Sequence, residues 1–413
     1  MPTDNKRSIS IYIHIPFCVK KCSYCDFLSF PLAYGQGFNG KDSFYSCVKP
    51  HSPDKSVCQA LQYPEVMAED IVGLYIDALL KEIETAPLKG SAIDTVYIGG
   101  GTPSSISAEW IDLVLCKLNA HCPISASAEI SIEANPGTLS PDKLKCYKKA
   151  GINRISLGCQ SLNDGELKLI GRIHSPEDFY RSYEEVRKAG FSNVNVDLIS
   201  ALPRQTTDKF SDTLSKLTAL SPEHISVYSL IVEPHTPLYE SLRQGELALP
   251  DEETVEKIDN ITLESLKGAG YMRYEISNYA HPGCSCRHNL IYWDRGEYLG
   301  LGLGSASFFH GKRWKNTGDL RLYLKKPGKA REEEHILSER EAMEEFLFLG
   351  LRKTAGISPK KFLQTFNKKL EEIYGDVLSK QLREGFLIKT ADGYAYNEKG
   401  LNVSNILLSE FIG

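Results

Sequence analysis

Between Ile9 and about Gly270 the chain alternates short β-branched runs with amphipathic stretches of helical length. No other feature constrains its fold as strongly. Strand candidates fall at 9–15, 95–98, 129–133, 154–157, 194–199 and 224–230. Helical periodicity fills 108–119, 141–150, 176–189, 209–220 and 252–269. Several helices open on Ser-Pro and stop at Gly, as in Ser140-Pro141 to Gly151 and Ser175-Pro176 to Gly190. Such pairs are start and stop signals. Strands separated by helices pair in parallel through right-handed crossovers. The spacing predicts an α/β fold, an incomplete (β/α)6 TIM-like barrel over residues 1–270, with a flat doubly wound sheet as the alternative.

In such barrels, function gathers at the C-terminal ends of the strands. Polar and glycine residues collect there. Cys18, Cys22 and Cys25 follow the first candidate strand, Gly99-Gly100-Gly101-Thr102 the second, Glu133-Ala134-Asn135 the third and Gln160 the fourth. Asp197 lies in the fifth, and Glu233 and His235 follow the sixth.

The cysteine spacing is C-x3-C-x2-C. Three thiolates on one loop can bind three irons of a [4Fe–4S] cluster, which normally takes four Cys. The fourth iron is then open to a small molecule. A structural zinc would want a fourth Cys or His nearby; His14 is at hand but sits inside the strand-like run. An odd total of 11 Cys and an N-terminus without a signal-peptide pattern read as a reduced, cytoplasmic chain. No apolar run approaches the ~20 residues of a membrane helix. A net charge of −5 gives no general attraction to nucleic acid.

Residues 31–66 break the rhythm and read as a solvated insertion, in which Cys47 and Cys58 are ordinary free thiols rather than a fourth ligand. On the rim, three glycines permit close backbone approach and expose N–H groups. Glu133 and Asp197 suit a ribose or an ammonium, Arg172 a carboxylate and Gln160 either partner. Taken singly, Glu133 reads equally well as a rim salt bridge, Arg172 as a solvated loop charge and Asp197 as a helix cap.

The cysteine loop and the Gly-Gly-Gly-Thr-Pro run (99–103) resemble radical S-adenosylmethionine proteins. The runs at 12–18, 99–104, 133–137, 195–199, 275–279 and 288–293 are similar to the oxygen-independent coproporphyrinogen oxidase-like group, from about residue 8 to 412. The resemblance implies a barrel of radical SAM type, with Cys18, Cys22 and Cys25 on the cluster and S-adenosylmethionine on its open iron. Tyr12, Gly100, Gly101, Thr102, Glu133, Gln160, Arg172, Asp197 and the backbone of Tyr24 fall where that group contacts the cofactor.

Two activities compete within the group. The oxidase branch has a fourth Cys two residues after the third; here that position is Phe27. Cys25-Asp26-Phe27, together with Arg287-His288-Asn289 and Tyr292-Trp293, resembles the HemW haem chaperone branch. That branch implies haem as cargo and an apo-haemoprotein as acceptor, and it leaves open whether the chain is an enzyme. In the His-Asn-x-x-Tyr-Trp context His288 is the candidate axial ligand. Tyr292, Trp293 and Tyr298 would cover the macrocycle and Arg287 would meet a propionate. Cys284 and Cys286 are rival ligands, and a hydrogen-bonded His288 in a packed turn is the plain alternative. The segment 271–327 carries this motif as a connector. Over 328–413 the order of helices and a β-ribbon predicts a winged-helix-like α+β domain. Lys360, Lys361, Lys368 and Lys369 share it with Glu371, Glu372 and Asp376, which reads as a solvated face, so the domain reads as a cover or docking module.

Overall fold

The computed structural model describes residues 7–32 and 68–412; the expected insertion, with Cys47 and Cys58, lies almost wholly outside them. The six expected strands are present, as β1 (Arg7–Ile15), β2 (Ser91–Gly100), β3 (Ile124–Ala134), β4 (Arg154–Gln160), β5 (Val194–Ser200) and β6 (His224–Ser229). They pair in parallel in chain order. The helices between them start where the caps predict. Ser140 accepts from the Lys143 amide, and Ser175 forms a capping box with Asp178.

The segment 271–327 is more than a connector. Its strands β7 (Met272–Arg273) and β8 (Asn278–Ala280) add antiparallel to β6. At the opposite edge β9 (Tyr298–Leu301) pairs in parallel with β1. From it, β10 (Ala306–Phe309), β11 (Lys312–Asn316) and β12 (Arg331–Ile336) extend the sheet antiparallel. The result is one open sheet of twelve strands with seven parallel strands at its centre. Among the described residues its antiparallel ends do not pair with each other, so the barrel stays incomplete.

Side chains alternate across each strand. One face of the parallel strands packs Ile, Leu and Val against the helices. The other face lines the bore, and register makes it polar. Ser10 lies beside Thr95 and Thr95 beside Glu129; Tyr12 lies beside Tyr97, Tyr97 beside Ser131 and Ser131 beside Arg154. Above them Glu133 neighbours Ser156, and Asp197 neighbours Gly158 and Ser226.

The helix Arg287–Trp293 plugs the lower end of this bore. Its own N-cap residue, Cys286, makes no side-chain cap. Instead Glu129 on β3 accepts from the amides of Arg287 and His288, each at 3.1 Å, and from the Cys286 thiol. A carboxylate at a helix N-terminus satisfies orphan donors and favours the dipole. Glu129 is also among the charges that keep the fully buried Arg154 protonated, whose Nε has no hydrogen-bond partner.

The C-terminal domain has its own core. Helices Glu339–Gly350, Pro359–Phe366 and Leu370–Arg383 precede a ribbon of Leu387–Lys389 and Tyr394–Tyr396, the expected winged-helix order. Glu345 ties it to the sheet by accepting from Arg295 and Arg313.

Replacing Glu129 removes the plug's cap and strips a nearby acid from Arg154. Glu129→Ala is expected to lose about 3–5 kcal/mol of stability, the range for a buried charge left uncompensated. Glu129→Gln, which keeps an acceptor, is expected to lose less. Urea unfolding of both variants checks this; a loss under about 1 kcal/mol for Glu129→Ala would contradict the capping role.

Candidate functional site

Beyond β1, a turn at Pro16 leads into the pair Phe17–Cys18, which lies parallel to Phe30–Pro31. The loop between them carries the cysteines. Cys25 N–H closes a turn on Cys22 O, and Ser23 pins the loop to its neighbours through Ile170 O and the Leu238 amide. Cys18, Cys22 and Cys25 are all free thiols. Among the described residues no three His, Cys, Asp or Glu side chains converge as a single-ion site. A four-iron cube, with one iron per thiolate, spreads its ligands more widely.

The surroundings fit such a cube. Burial pushes the Cys18 thiol up and the Cys25 thiol up to about 11, a condition that coordination to a cation reverses. Side-chain donors aim at the sulfurs. Thr102 Oγ1 donates to Cys18 Sγ at 3.5 Å, and Arg172 Nη1 donates to Cys22 Sγ at 3.6 Å. Hydrogen bonds to sulfur are among the groups that tune an iron–sulfur centre.

Arg172 is therefore a strut rather than a solvated loop charge. Its Nη2 donates to Gly158 O at 2.7 Å and Asn135 Oδ1 at 2.8 Å, and its Nε donates to His174 Nδ1. Asn135 is not among the expected site residues. Its position just past Glu133 is the available signal, but its role depends on pairing with the loops after β2 and β4.

The three glycines also differ from expectation. The amides at 100–102 are not free. Gly100 N–H donates to Glu133 Oε2, Gly101 N–H to Ile15 O and Thr102 N–H to Phe17 O. A Cβ on Gly100 would stand 2.5 Å from His14 Cε1, and one on Gly101 2.6 Å from Phe17 O. Gly101 lets the loop after β2 lie directly on the start of the cysteine loop, and Gly100 makes room for the His14 ring. Packing explains all three, since a Cβ on Gly99 would press on the Glu133 carboxylate at 3.0 Å.

Glu133 and Asp197 share the upper bore. Glu133 Oε1 accepts from Tyr97 OH at 2.9 Å. Burial, followed by the neighbouring Asp197, pushes its carboxyl up to about 7. Asp197 accepts from Ser156 and Asn195 and is raised by burial. It lies inside β5 and caps no helix. Each carboxylate retains acceptor capacity toward a ligand. Gln160, at φ +66°, ends β4 on the same rim. Tyr12 stacks on Tyr97 and donates to His14 Nδ1, while His14 Nε2–H donates to Leu28 O. Both His14 nitrogens are thus used; it is no metal ligand in this arrangement. Tyr24 packs on the small cluster of Ile170, Ile199 and Leu202.

The haem motif is divided. His288 is 1% exposed, and its two nitrogens bond Thr95 Oγ1 at 2.7 Å and Tyr292 OH at 2.8 Å. Its ring stacks on Tyr97. Burial lowers it to about 3, so it is neutral. His288 and Tyr292, one turn apart, point into the bore. Trp293 faces the Arg352 guanidinium of the C-terminal domain instead. The three do not form the expected cup, because positions five apart on a helix lie on different faces. Arg287 donates to Ser127 O. Cys286 is buried with its thiol pushed up to about 12, and Cys284 is half-buried.

Comparison with known proteins follows the same outline. The Radical SAM superfamily model matches residues 12–217 and the HemN C-terminal domain model residues 337–403. The "Heme chaperone HemW" of Bacillus subtilis is 35% identical over 98% of this chain and 99% of its own. That of Escherichia coli is 32% identical over 98% of each. Among solved structures, coproporphyrinogen III oxidase (HemN) from Escherichia coli superposes with a TM-score of 0.77 at 22% identity, covering 98% of this chain and 90% of that one. The fold is thus that of HemN, and the end-to-end identity assigns the chain to the HemW family within the Radical SAM superfamily.

Proposed function

We propose that this protein takes up haem and passes it to an apo-haemoprotein, carrying a [4Fe–4S] cluster and S-adenosylmethionine. The observation that carries the reading is the nearly full-length likeness to proteins named heme chaperone. Phe27 supports it. The side chain is 69% exposed, so packing does not demand an aromatic where the oxidase pattern has a fourth Cys. The second reading, porphyrinogen oxidation, draws on the shared fold with HemN. A fold at that identity does not transmit an activity.

Cys18, Cys22 and Cys25 hold the cluster in this reading, with Thr102 and Arg172 donating to two of the sulfurs. Glu133, Asp197 and Gln160 offer acceptors to the cofactor, while Tyr12 supports the rim beneath them and Tyr24 lies within the cysteine loop. Gly101 brings the two loops close enough for that grouping, and Gly100 fits the rim over His14. When bound, the cluster and cofactor supply one-electron chemistry.

Haem capture by His288 carries a structural requirement. Its nitrogens are both engaged, so the helix Arg287–Trp293 must withdraw from the bore before an imidazole reaches iron. Withdrawal also frees Tyr292 and lets it meet an apolar macrocycle. Among the described residues no helix is long and apolar enough to cross a membrane.

Haem titration of the purified protein tests the reading. Wild type is expected to bind haem, and His288→Ala to weaken binding at least tenfold with a changed Soret band. Absence of haem binding in wild type would overturn the proposal. An unchanged His288→Ala spectrum would remove His288, and a changed Cys284→Ala or Cys286→Ala spectrum would move the ligand to a thiolate.

Glu133 gives a pH test of the cofactor site. Its carboxyl is neutral below about 7 and ionised above. Ammonium and hydroxyl donors bind the ionised form better, so affinity for S-adenosylmethionine is expected to rise with pH through about 7. Glu133→Gln is expected to flatten that profile and to bind about tenfold more weakly above it, the loss of one charged hydrogen bond. A variant profile matching wild type would exclude Glu133 as a contact.

A further inference from the structure

Asn135 stands between two side-chain donors that reach the cluster cysteines, Thr102 and Arg172. Its Oδ1 accepts from Arg172 Nη2 at 2.8 Å, and its Nδ2 donates to Thr102 Oγ1 at 2.8 Å. Its backbone N–H is tied to Ser104 Oγ at 3.2 Å, which fixes the side chain's origin. The orientation of this amide is not free. A guanidinium has donors only, so Asn135 must turn its oxygen toward Arg172. Its NH2 then faces Thr102, whose oxygen must accept. The single proton of the Thr102 hydroxyl is thereby sent the other way, toward Cys18 Sγ. Arg172 itself is locked by Gly158 O and His174 Nδ1 while its Nη1 meets Cys22 Sγ.

We propose that Asn135 is a positioning residue for the iron–sulfur centre, a polarity relay that makes Thr102 a donor to Cys18 because Arg172 is a donor to Cys22. The inference rests on the cluster reading above. Its consequence is electrochemical. A donor on a thiolate sulfur favours the more negative, reduced cluster and raises its reduction potential. An acceptor on both sides of position 135 reverses the Thr102 hydroxyl and removes one of those donors.

Asn135→Asp makes that change with almost no change in shape. The carboxylate still accepts from Arg172, but it draws the Thr102 proton to itself. Thr102→Val removes the same donor without adding charge, and Thr102→Ser restores it. Full-length wild type, the single variants and the Asn135→Asp/Thr102→Val double variant are reconstituted anaerobically with iron and sulfide. Iron and sulfide per chain, apo-protein melting and the cluster midpoint potential are then measured. Both Asn135→Asp and Thr102→Val are expected to shift the midpoint to more negative values with wild-type melting. Thr102→Ser is expected to stay at the wild-type value. The double variant is expected to shift by less than the sum, because the hydroxyl donor is lost only once and the added carboxylate charge contributes the remainder. Wild-type potentials in the single variants, or fully additive shifts, would overturn the relay. Wild type that takes up no iron and sulfide would instead overturn the cluster reading itself.

Discussion

Every second residue of a parallel strand in a partial barrel points into the bore, and in this chain most of those residues are polar. A polar group without water must find a partner inside the fold. That demand organises the molecule. Glu129 meets it at the lower end by capping the helix Arg287–Trp293. Glu133 meets it at the upper end through Tyr97 and Gly100. Between them Asn195 joins Ser156, Asp197, Ser226 and His224. The usual barrel interior of branched aliphatics would supply none of these buried polar contacts.

The same network links two regions that are far apart in sequence. His288 stacks on Tyr97, Tyr97 bonds Glu133, and Glu133 bonds the Gly100 amide beside the cysteine loop. The motif attributed to haem and the rim attributed to the cofactor therefore share buried contacts. Two discrete positions of one helix would give a physical route by which either site biases the other.

Much of this was legible in the sequence. The six strands announced themselves by β-branched runs, and the helices after Ser140 and Ser175 by their cap spacing. The polar bore was also present, in Glu129-x-Ser131-x-Glu133, Arg154-x-Ser156 and Asn195-x-Asp197, as a period of two. The hydrophobic runs of the opposite face mask it. The parallel strand Tyr298–Leu301 was not legible. It is four residues long, and its partner β1 lies at the far N-terminal end of the barrel segment, beyond all five other expected strands. His288 illustrates a deeper limit. A His with Tyr four residues later suits an open ligand and a buried hydrogen-bonded pair equally, and only tertiary packing decides. Asn135 showed only its place just past Glu133, since its partners come from two other loops.

Haem transfer tests the central claim most directly. Protein loaded with haem is mixed with an excess of an apo-haemoprotein, and the Soret spectra of the two are followed after separation. The account predicts that haem leaves this protein and appears in the acceptor with the acceptor's own spectrum. Haem that stays bound while the reduced, reconstituted protein converts coproporphyrinogen III without oxygen would contradict it.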